Sequence, residues 1–141
     1  MFATLSNPAA AYRKAGIEAS IESKSPHELV LMLYEGALSQ IAIANMCIQQ
    51  NDVLQKGKAI GNAINIIDGG LRACLDYNSG GQLAERLAAL YEYMCNRLLH
   101  ANLHNDRATL DEVSALLGEL KSAWEEIAND PAVLSANKSA A

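Results

Sequence analysis

Two histidines have the spacing that a metal ion would need. His100 and His104 are four residues apart, which places both imidazoles on one side of an α-helix. The four-helix proteins that bind two iron ions add Glu-x-x-His pairs, and this sequence contains none. Because Asn96 and Arg97 make the surrounding surface polar, the pattern favours a solvated pair over a metal site. We expect no metal and no cofactor.

The cysteines and glycines do not form a reactive centre either. Cys47, Cys74 and Cys95 are an odd number of thiols without metal or redox spacing, each in an apolar helical pattern. We expect small buried hydrophobic residues in a reducing compartment. The glycines do not match the phosphate-binding GxxxxGK[ST] loop, and no nucleophile is paired with a base. The sequence therefore predicts a protein that is not an enzyme.

Charge and hydropathy exclude further classes of partner. A net charge of -5, with 11 Lys and Arg and 5% aromatic residues, argues against nucleic acid and anionic membranes. The N-terminus lacks the pattern of a signal peptide. The apolar run 29–48 contains Glu35 and Asn45, which would be costly inside a bilayer. We expect a cytoplasmic protein without stable membrane insertion.

The elements that position these residues are four predicted helices. Ser25-Pro26-His27-Glu28 reads as a capping box that starts a helix, and polar or glycine-rich breaks follow at 51–52, 78–81 and 105–106. The predicted helices span about 26–50, 53–77, 82–104 and 107–129, the last one ending before Pro131. Short loops between helices of similar length predict an all-α, antiparallel up-down four-helix bundle over 25–130. We expect 1–24 to be a flexible N-terminal arm and 131–141 a frayed tail.

These helices carry more apolar surface than they need to bury one another. In the second helix the apolar or small arc covers roughly 200°, against a little over ~100° for an ordinary surface helix. The first helix carries apolar residues around its whole circumference. One face must therefore meet the N-terminal arm, a partner or a second copy of the chain.

Four glycines lie inside the second predicted helix. Gly57, Gly61, Gly69 and Gly70 each cost about 1 kcal/mol relative to alanine in a helix interior. The favoured explanation is that another backbone packs closely against them. The alternative is a kink or a break of the helix at Gly69-Gly70.

Long runs in all four predicted helices match one known family. The runs are Ser25-Pro26-His27-Glu28-Leu29, Leu31-Met32-Leu33-Tyr34-Glu35-Gly36-Ala37, Lys56-Gly57, Ala63-Ile64-Asn65-Ile66-Ile67-Asp68, Gly70-Leu71, Leu75-Asp76, Gly80-Gly81, Leu87, Leu90-Tyr91, Tyr93-Met94, Arg97-Leu98-Leu99, Ala101-Asn102, Asn105-Asp106, Glu112-Val113, Leu116-Leu117 and Ala123-Trp124. Over roughly residues 10–127 the chain resembles the FliS family, the flagellar export chaperones for flagellin. The family often has an amide or charged residue after the position of Asp68, where this chain has Gly69.

The resemblance implies a chaperone without enzymatic activity. Members of the family bind the C-terminal helical segment of flagellin, prevent premature polymerisation and help deliver it to the type III export gate, FlhA. The client lies as helices in hydrophobic grooves, and the N-terminal arm can occupy part of that surface. The excess apolar arcs agree with such helix-in-groove binding.

The candidate partner-binding residues come from the arm and from outside the core stripes. Tyr12 matches the aromatic residue of the family's arm, where it would cover the apolar surface or contact the export gate. The groove candidates are Ala59, Ala63, Ile66, Gly70 and Tyr77 on the second helix, and Ala88 and Leu99 on the third. The alternative for the groove set is packing against a neighbouring helix. Tyr34 and Tyr91 also match the family, but we expect them to be buried with satisfied hydroxyls.

A second function class remains open. The spare faces could meet in a homodimer, which would make the chain a self-associating helical adaptor or structural bundle without flagellin as client. A flagellin peptide would then leave the association unchanged.

Overall fold

A computed structural model describes residues 24–131 and Leu134. The predicted arm, including Tyr12, lies outside the described residues except for Lys24, and so does the predicted tail beyond 131 apart from Leu134. The described part contains four helical elements and no strand. They are α1 (Pro26–Gln49), α2 (Val53–Ile64) with its continuation, α3 (Tyr77–His104) and α4 (Arg107–Glu126). The predicted all-α four-helix bundle is confirmed.

Side-chain caps set the helix starts. Ser25 Oγ accepts a hydrogen bond from the Glu28 backbone N–H, and Glu28 Oε1 accepts one from the Ser25 backbone N–H, both at 3.2 Å. Asp52 Oδ1 accepts from the Gln55 N–H at 3.2 Å, as predicted for the second helix. These carboxylate and hydroxyl oxygens satisfy backbone donors that the first turn of a helix leaves without a partner.

The four helices enclose one apolar core. α1 packs against α2 and α4, while α3 packs against α4 and the second helical element. By length and composition alone, α1 could cross a membrane. In the bundle, however, its Leu33, Ala37, Ile41 and Ala44 are completely buried, and Glu35 is exposed. This is the position of a central core helix.

The second helical element departs from the predicted continuous helix. After α2 the chain forms a π-helix, Asn65–Leu71, and a single 3₁₀ turn, Arg72–Cys74. The π-helix contains Gly69-Gly70, the place where a kink or break was the alternative. Leu75 is extended, and Asp76 caps the next helix by accepting from the N–H groups of Asn78 and Ser79. Tyr77 therefore begins α3 and does not end the second helix.

The predicted break at 78–81 takes the form of a kink at Gly81. Residues 78–80 form one helical turn before the kink, because Asp76 satisfies the donors of that turn. Gly81 has a φ of 51° and a ψ of -127°, which are accessible to glycine at little cost, and the helix resumes at Gln82 as predicted.

The two core tyrosines contact each other across the bundle. Tyr34 and Tyr91 are 4% and 2% exposed, and their hydroxyl oxygens are 2.8 Å apart. Burial raises the pKa of Tyr34 to about 12, and it raises the pKa of Tyr91 well above 10. Both hydroxyls are therefore protonated and share a hydrogen bond. Their expected burial with satisfied hydroxyls is confirmed.

Candidate functional site

Most of the predicted groove residues lie inside the chain in this structure. Ala59, Ala63, Ile66, Gly70 and Ala88 are all buried. Packing within the bundle was the alternative for this set, and it describes how these five residues are placed. Tyr77 and Leu99 are 49% and 52% exposed, so these two can meet a partner directly.

A lysine fixes how α2 and α3 run alongside each other. Lys56 Nζ donates to the backbone oxygen of Asn102 at 2.9 Å and to Asn105 Oδ1 at 2.6 Å. The start of α2 is therefore next to the end of α3, and the two helices are antiparallel. At 1.5 Å per residue, this register brings the stretch 57–61 opposite the last turns of α3, around Leu99.

The α2 side of this seam is open and carries an exposed leucine. Leu54, Gly57 and Gly61 have the i, i+3, i+7 spacing of one helix stripe, and Leu54 is 82% exposed. A Cβ atom built at Gly57 or Gly61 would meet nothing within 4 Å. Within residues 24–131, the expected close packing of another backbone against these two glycines is therefore absent. The same holds for Gly69.

The α3 side is a matching apolar stripe. Leu99 and Leu103 are four residues apart and 52% and 79% exposed, and Cys95 continues the stripe one turn earlier. Burial raises the pKa of the Cys95 thiol to about 11, so it is a neutral, apolar group. We call the surface formed by Leu54, Gly57, Gly61, Leu99 and Leu103 the α2–α3 groove.

Two residues of the α2–α3 groove were missed in the sequence. Leu103 lies one turn beyond Leu99, and the i, i+4 spacing is the signal that could have identified it. Leu54 lies on the same side of α2 as Gly57 and Gly61, and its role is recognisable only when the three positions are considered as one surface. Both leucines are more exposed than any groove residue that the sequence did suggest.

Charged residues bound the groove towards the other end of the bundle. Asp68 lies in the π-helix that continues α2, and its Oδ1 is 3.2 Å from Arg72 Nη1. This hydrogen bond, with smaller contributions from Tyr77 and Glu92, raises the pKa of Arg72. Because both partners are exposed, the pair adds little stability, and it remains accessible to a partner.

The seam between α3 and α4 is polar and closed by internal hydrogen bonds. Arg97 donates from Nε to Glu112 Oε1 at 2.9 Å and from Nη2 to Thr109 Oγ1 at 3.1 Å, while Tyr93 donates to Glu112 Oε2. The hydrogen bonds from Tyr93 and Arg97 lower the pKa of Glu112. The Glu112 carboxylate therefore links α4 to α3.

The histidine pair lies at the end of this seam. The rings of His100 and His104 are 4.5 Å apart, and His100 Nε2 is 3.5 Å from Asp106 Oδ2. Over residues 24–131 the structure contains no group of three or more His, Cys, Asp or Glu side chains that could hold a metal ion.

The sequence comparisons agree with this architecture. Residues 8–131 match the family model described as flagellar protein FliS. A Salmonella typhimurium protein named flagellar secretion chaperone FliS is 46% identical over 117 residues, covering 83% of this chain and 87% of its own length. The Pseudomonas aeruginosa flagellar secretion chaperone FliSB is 47% identical over 118 residues, covering 84% and 93%. The Escherichia coli flagellar secretion chaperone FliS is 42% identical over 124 residues, covering 88% and 91%.

These matches extend over nearly the whole described structure. They include all four helices, and the relatives are covered almost from end to end. The family consists of chaperones and not of enzymes. This chain belongs to the FliS family.

Proposed function

We propose that this chain is a flagellar export chaperone that binds the C-terminal helical segment of flagellin in the α2–α3 groove. The names of its relatives supply the class of function. The observation that supports the site is the row of exposed leucines beside two glycines with open space at their Cβ positions. In this role the chaperone prevents premature polymerisation of flagellin in the cytoplasm and helps present it to the export gate, FlhA.

Helix-in-groove binding would remove the exposed leucines of this surface from water. A client helix with apolar residues at i, i+3, i+4 and i+7 would bury them against Leu54, Leu99 and Leu103. Each fully buried leucine contributes about 1.5–3 kcal/mol relative to an exposed one. Gly57 and Gly61 leave room for the client backbone to approach α2 closely. The ordering of the client offsets part of this gain.

The buried candidates contribute to the same proposal indirectly. Ala59, Ala63, Ile66, Gly70 and Ala88 would meet the client only if the groove opens further, whereas Tyr77 and Leu99 need no rearrangement. Tyr12 is proposed to cover the groove in the free chain or to contact the export gate.

Self-association is the second candidate function. The exposed leucines of the groove could be buried between two copies of the chain instead of against a client. A homodimer without client fits the chaperone, because the client would displace the second copy. A homodimer that persists with the client would instead indicate a structural bundle.

Calorimetric titration tests the proposal directly. The titrant is the last ~40 residues of the flagellin from the same cell, and the expected result is one-to-one binding with a negative heat-capacity change, which marks apolar burial. Absence of binding, also after deletion of residues 1–20, would refute flagellin as the client.

A single charged substitution locates the site. Leu103→Asp places a carboxylate in the apolar stripe and is expected to weaken flagellin binding at least tenfold, because the charge must be desolvated on binding. Since Leu103 is 79% exposed, the thermal unfolding midpoint should hardly change. Ala115→Asp on the exposed face of α4 is the control with the same added charge. Equal effects of the two variants would place the client elsewhere.

A further inference from the structure

The ammonium group of Lys56 is buried without a counterion nearby. Lys56 is 6% exposed, and its two acceptors, the Asn102 carbonyl and the Asn105 side-chain oxygen, are neutral. Among the described residues no carboxylate oxygen lies within 4.0 Å of Lys56 Nζ. An ammonium has three donors, so one N–H remains. Buried charges in proteins are generally paired, which makes this lysine an exception that needs a reason.

A small cavity adjoins this ammonium group. It has a volume of about 100 Å³ and lies where the turn between α1 and α2 meets the turn between α3 and α4. Cys47 and Ile48 form an apolar wall, and Asn51, Lys56 and Asn105 supply polar groups. Asn51 and Asn105 both have positive φ, 57° and 52°, so the two turns that frame the cavity adopt a backbone that is uncommon outside glycine.

The start of α2 also borders the cavity. Val53, its first residue, lines the cavity, and the first turn of a helix carries the positive end of its dipole. Asp52 lines the cavity too, but its carboxylate caps this helix end by accepting from the Gln55 N–H, so its charge is partly offset there. The balance of one ammonium, one helix N-terminus and one carboxylate suits a group with a single negative charge.

We propose that this cavity binds a carboxylate, with Lys56 as the charged donor. The apolar wall of Cys47 and Ile48 accommodates the carbon end of the group, and the volume admits a small acid or a single acidic side chain. The carboxylate is either free in solution or carried by a protein bound to this end of the bundle. The site adjoins the α2–α3 groove at the end of the bundle, and the inference does not rest on the proposed function.

Titration with sodium acetate, followed by ¹H–¹⁵N NMR on the full chain, tests the site. Sodium chloride keeps the ionic strength constant. We expect saturable shifts at the amides of Asn51, Val53 and Asn105, with a dissociation constant in the millimolar range or tighter. Lys56→Gln should abolish saturation. Asp52→Asn keeps a good N-cap and removes the opposing charge, so it should tighten binding about fivefold.

The two variants keep the proposal falsifiable. If Lys56→Gln does not fold, Asp52→Asn still gives a readout, and unchanged affinity in that folded variant would overturn the proposal. Shifts that grow linearly with acetate, or that are equal in wild type and Lys56→Gln, would show that the cavity holds water only.

The source of the carboxylate is then identified by competition. If the flagellin peptide suppresses the acetate shifts in wild type, the bound protein carries the carboxylate. If the acetate shifts persist beside bound peptide, a free acid is the ligand. A peptide that does not bind at all would refute the proposed function and leave the acetate result standing.

Discussion

At the scale of single residues, His27 and Trp124 join the first turn of α1 to the end of α4. Their rings are stacked with centroids 4.6 Å apart and an angle of 10° between planes, and Trp124 Nε1–H donates to the His27 carbonyl oxygen at 2.9 Å. Burial lowers the pKa of His27, and the nearby Glu28 only partly opposes this shift. The helix N-terminus also disfavours a positive charge here. The folded chain therefore holds the imidazole neutral.

Stability should consequently fall when the solution becomes acidic. The unfolded chain has the ordinary histidine pKa of about 6.5, so below that pH it binds more protons at His27 than the folded chain does. The contribution of His27 is complete above pH 6.5 and is lost as the pH falls through the lower folded pKa. Urea unfolding between pH 7.5 and 5.5 should show a decline that is smaller in His27→Phe. Equal slopes for wild type and variant would refute this assignment.

The tyrosine pair allows a double-mutant test. Tyr34→Phe removes one hydroxyl and leaves that of Tyr91 buried without its partner, which should cost about 1–3 kcal/mol in the free energy of unfolding. Tyr91→Phe should behave alike. The double variant removes both polar groups, so its loss should be smaller than the sum of the single losses, as measured by urea denaturation. Additive losses would mean that the hydroxyls do not depend on each other.

Residue-scale prediction from sequence succeeded where the interaction is local or belongs to a long motif. The Ser25–Glu28 box and the Asp52 cap depend on atoms three residues apart. The burial of Tyr34 and Tyr91 was expected, but their hydrogen bond to each other was not. The stacking of His27 on Trp124 joins residues 97 positions apart, and no local pattern announces it.

At the scale of elements, the number of helices was predictable and the course of the second helix was not. Periodicity and caps locate helix starts to within a few residues, as for α1 and α4. The π-helix at Asn65–Leu71 inserts extra residues per turn, and apolar periodicity cannot distinguish it from an α-helix. Gly69-Gly70 gave the only warning.

The glycines of α2 give a test that separates stability from binding. Gly57→Ala adds a methyl group where nothing lies within 4 Å, so the free energy of unfolding should rise by about 0.5–1 kcal/mol through helix propensity. The same methyl group lies in the α2–α3 groove and should weaken flagellin binding in the calorimeter. The matched control is Gly118→Ala in α4, which also has open space and should gain stability without losing affinity. Unchanged affinity in Gly57→Ala would remove that glycine from the site.

At the scale of the whole molecule, the bundle and its surplus of apolar surface follow from the same sequence pattern. Short loops impose antiparallel neighbours, and four helices with broad apolar arcs cannot bury all of them. Sequence reasoning therefore predicted that a partner surface exists. It assigned most of that surface to residues that the bundle itself buries, because the wheel of one helix does not show where its neighbours stand. Contacts such as Lys56 with Asn102 decide that question.

The exposed groove should make the free chain self-associate at high concentration, and the client should reverse this. Sedimentation equilibrium is expected to show a concentration-dependent mass for wild type, which an excess of flagellin peptide converts to the mass of a one-to-one complex. Leu103→Asp should lower both self-association and peptide binding, because each buries the same leucine stripe. If the substitution abolishes peptide binding but the dimer persists, the two surfaces are distinct. If the dimer persists with bound peptide, the exposed apolar surface is explained by self-association of this chain and not by client binding in the groove.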